Sequence, residues 1–453
     1  MSFFKAYDMR GTFGVDFDLE TVDAASRALV EVLGAGRWLV GRDSRKTSPQ
    51  VHDRLVAGLA AAGAEVVDIG LCSTPMVYFF TAEDGFDASV MITASHNPPG
   101  DNGLKVSKRG AEPVGYANGL GEVEKLCAGR TGKRVLSTEL PPSSAAAAAK
   151  GEYLGRYIEW MRGRSPDLAD LRLAVDASNG MASLFVRELF PGAMIINDVL
   201  DGDFPAHSPN PLKPEARAQA AALVREHALD AAVIFDGDAD RCMFLDERGE
   251  FVQPDYLIGH IARSSAGGRL AGAKVLHDIR TSRGTIEFLR EEGAEPVMVP
   301  VGHAFAKPAM RSSGAVCGGE LAGHYYFRDF HCCDSGLLAA LRMLGEVASA
   351  KAGGKTFSEM IAPVAGRYAN SGELNFRVED KAAAISRVVA ASAGFGEVEA
   401  VSEIDGKRLE FAGGWFNVRA SNTEPYLRLI IECDGPERLA EWTGILKAAI
   451  GEG

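Results

Sequence analysis

Four short segments of the chain carry residue types and spacings that can do chemistry. The first is Thr93-Ala94-Ser95-His96-Asn97-Pro98-Pro99-Gly100-Asp101-Asn102-Gly103-Leu104-Lys105. A serine hydroxyl is a weak nucleophile until a base or a charged environment activates it, and His96 and Lys105 are the local titratable groups. As a bare Ser-His pair the segment reads as a surface turn, because Asn-Pro and Pro-Gly are strong turn formers. The second, Phe235-Asp236-Gly237-Asp238-Ala239-Asp240-Arg241, spaces three carboxylates two residues apart. In an extended segment such residues face one way, so Asp236, Asp238 and Asp240 would converge and repel, and a hard divalent cation would offset them. Magnesium takes oxygen ligands and keeps positions for water or phosphate oxygens. A calcium loop of the EF-hand kind starting at Asp236 needs glycine at its sixth position, where Arg241 stands.

The third segment is Gly318-Gly319-Glu320-Leu321-Ala322-Gly323-His324. Its glycines allow close backbone approach, and Glu320 with His324 offers a hydrogen-bond acceptor and a tunable proton carrier suited to sugar hydroxyls. The fourth is Arg419-Ala420-Ser421-Asn422-Thr423-Glu424-Pro425. The planar fork of Arg419 matches phosphate oxygens, and the hydroxyls of Ser421 and Thr423 with nearby N–H groups can complete an anion cradle. The same residues also suit a capped hairpin turn. Taken together, a serine, a carboxylate metal site, a polyhydroxyl reader and a phosphate clamp describe phosphoryl transfer on a phosphosugar.

These segments must be held by a framework, and the sequence repeats itself in a way that supplies one. Residues 38–42 run into Asp43, and Gly63-Ala64-Glu65 opens the next apolar run at 66–67. Residues 171–175 run into Asp176 and Gly192-Ala193-Met194 precedes 195–196, while 274–276 lead through His277 into Asp278 and Gly293-Ala294-Glu295 follows. A third strand is expected after each, at 87–92, 230–235 and 313–316. This spacing predicts three related α/β domains with mixed sheets in series. Ligands gather outside the carboxyl ends of such strands, where the chemistry-bearing loops lie. After Pro363 the pattern changes to α+β, with a strand near 374–378, a helix near 381–391, a meander over 398–432 and a final helix from Glu437. The boundaries read as 1–148, 149–252, 253–362 and 363–453, with a composition break at 141–144 and a helix continuing past Ala149.

At roughly 100 to 200 residues per domain, 453 residues predict about three domains and exclude a single small binding module. Lys and Arg number 48 against 61 Asp and Glu, a net charge of −13, which argues against nucleic acid as the main partner. The start of the chain places charges where a signal peptide needs its apolar stretch, and no apolar run reaches the roughly 18 residues of a membrane span. A cytoplasmic protein is expected. Seven scattered cysteines without C-x-x-C spacing read as reduced thiols.

The chain resembles the α-D-phosphohexomutase superfamily, within it the bacterial phosphomannomutase/phosphoglucomutase group. The resemblance rests on Tyr7-Asp8-Met9-Arg10-Gly11, Gly41-Arg42-Asp43-Ser44-Arg45, the Ser95 and Asp236 loops, Gly302-His303, the Glu320 loop and 419–425. It implies four domains around one central cleft. It implies Ser95 as phosphoserine, with Mg²⁺ held by Asp236, Asp238, Asp240 and the Ser95 phosphate. Lys105, Arg10 and either His96 or His324 would manage the proton, and Tyr7, Arg241, His303 and Glu320 would meet the sugar. Arg419, Ser421, Asn422 and Thr423, joined by Arg280 and Arg428, would clamp the non-reacting phosphate.

The implied reaction interconverts hexose 1-phosphate and hexose 6-phosphate of mannose or glucose, primed by a hexose 1,6-bisphosphate. The implied partner is a small phosphosugar, with no nucleic acid or membrane, on a monomer or weak homodimer. Phosphoglucosamine mutase is the nearest alternative. A phosphatase with Asp236 as nucleophile and a non-catalytic sugar-phosphate sensor are more distant ones. Two positions depart from the family pattern: Ala322 stands where Ser is usual, and Arg280 where Lys is usual.

Overall fold

The computed structural model describes residues 3–129, 146–421 and 426–451, so the composition break at 141–144 and the residues Asn422 and Thr423 lie outside it. Three units repeat one sheet. In the first, Glu65–Leu71, Arg37–Arg42 and Ala88–Ile92 lie side by side and parallel, and Asp101–Lys108 and Met9–Thr12 extend the sheet antiparallel. The second places Met194–Ile196, Leu173–Asp176 and Ala231–Phe235 in the same parallel order, followed by antiparallel Cys242–Leu245 and Phe251–Val252. The third runs Glu295–Val299, Lys274–Asp278, Cys317–Gly319, then antiparallel Tyr325–Phe327 and Cys333–Asp334. The outermost strand follows in sequence in the last two units, whereas in the first it is drawn from the beginning of the chain.

The apolar periodicity has a simple cause. The third parallel strand of each unit sits inside its sheet and is buried along its whole length, so it reads as a continuous apolar or glycine run. The third strand of the third unit begins later than the 313–316 expected from sequence. The helix His303–Ser313 continues to Ser313, and Gly314 ends it at φ +70° by donating to the carbonyl of Met310, so pairing begins at Cys317.

The last unit is the α+β element expected. A fully antiparallel sheet contains Leu374–Arg377, Val398–Ser402, Lys407–Phe411, Gly414–Ala420 and Tyr426–Cys433. Helices Lys381–Ala391 and Pro436–Ile450 pack on it over Phe376, Phe416, Leu429 and Trp442. A separate large core joins all three α/β units through Leu39, Tyr157, Val175, Phe235 and Leu338. Helix Ala146–Arg162 runs through position 149 and helix Phe357–Ala365 through position 363. All seven cysteines are free. Among the described residues no helix is long and apolar enough to cross a membrane.

Candidate active site

The strand Ala88–Ile92 delivers Ser95 in an unusual backbone state. Its φ is +52°, a left-handed conformation that costs a non-glycine residue on the order of 1–2 kcal/mol. The surroundings hold it there. The Ser95 amide donates to Thr93 Oγ1 at 2.8 Å, and the fully buried Arg45 guanidinium donates to the carbonyls of Ser95, Asn97, Pro98 and Asp101. Arg45 is itself fixed by Asp43, which accepts its backbone N–H and its Nε. The Ser95 hydroxyl then lies 3.1 Å from Asp236 Oδ2 and 3.2 Å from His96 Nδ1. Burial and the charges of Arg241, Arg10 and Lys105 push His96 well below the ordinary histidine range, so its ring is neutral. Arg10 pairs with Asp8 and donates to Asn97 Oδ1 and the Ala94 carbonyl, bracing the same loop.

Asp236, Asp238 and Asp240 converge within 4.8 Å of one another. The cause is not the strand alternation expected from sequence: the strand stops at Phe235, the loop turns, and Ala239 takes φ +59°. Gly237 permits the approach to the serine loop, since a Cβ there would stand 2.6 Å from the Ser95 carbonyl. Burial, with the charges of Asp240 and Asp238, pushes Asp236 up to about 7 even though Arg241 opposes the shift. Burial also works to raise Asp238, but the Lys105 ammonium at 2.7 Å outweighs it and keeps that carboxyl below the usual range. Lys105 touches Asp240 as well, and these two carboxylates outweigh burial in holding it protonated. Asp238 Oδ1 and Asp240 Oδ1 are buried with no hydrogen-bond partner. Buried oxygens are seldom left so, and two of them on a carboxylate triad fit a hard divalent cation.

Across from this loop, the third unit supplies the Glu320 segment. Arg241 and His324 form an isolated antiparallel bridge, joining the aspartate loop and the Glu320 loop backbone to backbone. His324 Nδ1 is held by Asp334 at 2.9 Å, and Asp334 is paired with the buried Lys307 at 2.8 Å. Burial works against the charge of His324, yet Asp240 and Asp334 outweigh it and raise its pKa. Glu320 accepts from the Gly302 amide and from the Tyr326 hydroxyl, and burial pushes it upward. Tyr7 crosses from the first unit to donate to the Val301 carbonyl and to meet the His303 ring edge-on. His303 Nδ1 and Arg241 Nη2 are buried without a hydrogen-bond partner, as groups waiting for a ligand would be.

Arg280 links the Glu320 loop to the fourth unit. It is 3.9 Å from Glu320, paired with Asp278 through Nε and Nη2, and 3.1 Å from Glu373. Glu373 also receives Arg419 at 3.1 Å and Arg428 at 3.3 Å. Ser421 sits buried at the end of that strand.

The residues singled out in the sequence therefore form one continuous line from Ser95 through Asp236, Arg241, His324 and Glu320 to Arg280 and Arg419. Asn422 and Thr423 are outside the described residues. Asp334, Lys307, Glu373 and Thr74, whose hydroxyl bonds Asp238, carry no sequence signal of a role at the site, and Arg45 carries one only within the motif at 41–45. For Arg45 a signal existed, because Asp43 is one of the repeated strand-ending aspartates and Arg45 follows it by two. The other four carry no local pattern and are brought in by long-range packing.

Known proteins resemble this chain over most of its length. The four models of the phosphoglucomutase/phosphomannomutase family match in order: alpha/beta/alpha domain I over 1–118, domain II over 155–249, domain III over 253–368 and the C-terminal domain over 373–445. A protein of Xanthomonas campestris pv. campestris described as phosphohexose mutases is 38% identical over 443 residues, covering 97% of this chain and 96% of that one. A phosphomannomutase of Salmonella montevideo is 36% identical over 454 residues, covering 97% and 96%. The crystal structure of a phosphoglucomutase/phosphomannomutase family protein from Burkholderia thailandensis superposes with a TM-score of 0.84 at 30% identity, covering 99% of this chain and 98% of that one.

Proposed function

The chain belongs to the phosphoglucomutase/phosphomannomutase family of phosphohexose mutases, and on that premise we propose how its own residues interconvert hexose 1-phosphate and hexose 6-phosphate of mannose or glucose. Ser95 carries the phosphoryl group. The observation behind this assignment is its hydroxyl, held by a left-handed backbone 3.1 Å from the carboxylate triad. Phospho-Ser95 loses its P–O bond as a free sugar hydroxyl gains one, which leaves a neutral serine and a hexose 1,6-bisphosphate. The intermediate turns end for end and returns its other phosphoryl to Ser95.

Mg²⁺ held by Asp236, Asp238 and Asp240 would supply positive charge beside the transferring group, the main demand of such a reaction. The chain's own residues do the rest. Lys105 and Arg10 balance the charge of a phosphoserine, about −1.5 to −2 at neutral pH. Glu320, His303, Arg241 and Tyr7 orient the sugar. The hydroxyl proton passes to a histidine, His324, whose ring Asp334 fixes through Nδ1, or His96 beside the serine, and is handed on to the departing Ser95 oxygen. Arg280, Arg419, Arg428 and Ser421, with Asn422 and Thr423, hold the phosphate that is not reacting and accept it from either end of the sugar.

Mass spectrometry of the purified protein tests the reading. Phosphate on Ser95, with loss of interconversion in Ser95→Ala, is the expected result. A labile phosphate on Asp236 with a dispensable Ser95 would make the protein an aspartyl phosphatase, and phosphosugar binding without turnover would make it a sensor. Side-by-side kcat/KM for glucose, mannose and glucosamine 1-phosphates identifies the sugar.

A further inference from the structure

Glu373 occupies a position that the clamp's own chemistry calls for. Arg419 and Arg428 are direct partners across the antiparallel pair Gly414–Ala420 and Tyr426–Cys433. Like charges placed directly opposite each other destabilise a sheet. Arg280 arrives from the third unit, and both Arg280 and Arg419 are buried, with 3% of each side chain exposed. Arg428 is partly exposed, Asp278 pairs with Arg280 and Asp405 stands 3.8 Å from Arg419, but an anion shared among the three guanidiniums is still favoured where two of them are buried. One carboxylate meets all three: Glu373 Oε1 accepts from Arg280 and Arg419, and Oε2 from Arg428.

The backbone places that carboxylate deliberately. The strands Ala369–Asn370 and Leu374–Arg377 both pair with Tyr426–Cys433, and between them the chain steps out of the ladder at Ser371, Gly372 and Glu373. Gly372 takes φ +65°, and Ser371 bonds Ile431 through both its backbone and its hydroxyl. The step is thus pinned on either side, and Glu373 projects from it onto the arginines. Arg280 has its Nε and one hydrogen of Nη2 on Asp278 and one hydrogen of Nη1 on Glu373, so a phosphate oxygen approaching Nη1 meets a carboxylate already held there.

We propose that Glu373 is the resident counter-anion of the phosphate clamp, an internal stand-in that the substrate's non-reacting phosphate displaces. The inference deepens the mutase reading and rests on it, because it takes Arg280, Arg419 and Arg428 to be the phosphate-holding groups. A carboxylate on the same guanidiniums repels an arriving phosphate and also holds those guanidiniums together while the cleft is empty. Glu373 therefore lowers phosphate affinity and, in exchange, keeps the clamp ordered between turnovers. It also ties the third unit to the fourth through Arg280, so its exchange for phosphate is a contact that changes as substrate enters and leaves.

The test is calorimetric titration of inorganic phosphate into wild type, Glu373→Gln and Glu373→Asp, with thermal melts in parallel. Glu373→Gln should bind phosphate about tenfold or more tighter than wild type, because the guanidiniums have lost their resident partner. Its melting temperature should be lower without phosphate and should rise more steeply with phosphate than wild type's. Glu373→Asp keeps a countercharge for folding and draws it back by one methylene, so it should tighten binding to a smaller extent even if Glu373→Gln folds poorly. Weaker or unchanged phosphate binding in both variants, in a wild type that binds phosphate and loses it on Arg419→Gln, overturns the inference and leaves the clamp reading standing. A wild type that binds no phosphate, with a hexose phosphate KM indifferent to Arg419→Gln, overturns both.

Discussion

The first and third units use one local frame for two different purposes. In each, the first parallel strand ends in an aspartate whose Oδ1 accepts the amide two residues on, Asp43 from Arg45 and Asp278 from Arg280. In each, the same aspartate also takes the Nε of that arginine. Beyond this point they diverge. Arg45 gives its remaining donors to four backbone carbonyls of the serine loop and has no exposed side-chain surface. Arg280 gives its donors to side chains, Asp278 and Glu373, with Glu320 close by. The second unit keeps the turn, with Asp176 accepting from Ser178, but has no arginine there and pairs Asp176 with Asn197 and His207 instead. In the first and third units the repeated turn thus delivers an arginine to the same place, and what the neighbouring loops offer determines whether it bonds backbone carbonyls or other side chains.

The largest expected effect comes from breaking the scaffold side. Arg45→Gln orphans several buried carbonyls at about 1–3 kcal/mol each and frees the strained Ser95 loop. Turnover should fall by about a hundredfold, with a clear loss of melting temperature. Arg280→Gln is expected to act differently: KM for hexose phosphate should rise about 10- to 100-fold while kcat stays within about threefold, since it removes charge-assisted contacts to phosphate. Lysine replacements sharpen the contrast. Arg45→Lys cannot reach four carbonyls with one ammonium and should resemble the glutamine variant, whereas Arg280→Lys loses the fork on Asp278 but keeps the positive charge, and should lose less affinity than Arg280→Gln. Equal tolerance at both positions would show the two arginines to be alike after all.

Asp255 gives the third frame a pH dependence. It accepts the Ser282 amide two residues beyond Arg280, and burial pushes it up to about 7. A carboxyl raised above its unfolded value stabilises the fold at pH values below the unfolded pKa, and that contribution is lost as pH rises toward about 7. The loss across roughly pH 4 to 7 is on the order of 4 kcal/mol at most. Asp255→Asn should flatten that part of the stability profile, and urea unfolding at pH 5 and pH 8 measures it. The smallest effect belongs to Ala322→Ser, beside Leu321, whose amide Asp278 also holds. A restored hydroxyl should change the glucose-to-mannose ratio of kcat/KM by up to about tenfold, and unchanged ratios would remove that loop from sugar selection.

The four loops were legible because their chemistry is local. Ser95 with His96, the aspartates at 236, 238 and 240, Glu320 with His324, and Arg419 with Ser421 each lie within a few residues, and the four together read as one chemistry although single loops also suit turns. The three-unit architecture was legible for a related reason, since buried parallel strands must be apolar runs and each ends in a polar loop. Even here the physical reason had to be corrected at the metal loop, where a turn through Gly237 and Ala239 gathers the carboxylates instead of strand alternation.

Other features depended on the tertiary structure, because they join residues from distant parts of the chain. Arg45 reaches carbonyls some fifty residues away, Thr74 finds Asp238, Lys307 stands behind Asp334, and Glu373 gathers arginines from two units. A side chain's type shows what it can bond to, and the sequence determined that much. Which partner lies within about 3 Å depends on how sheets stack and loops meet, a long-range outcome of packing that leaves no mark at any one position.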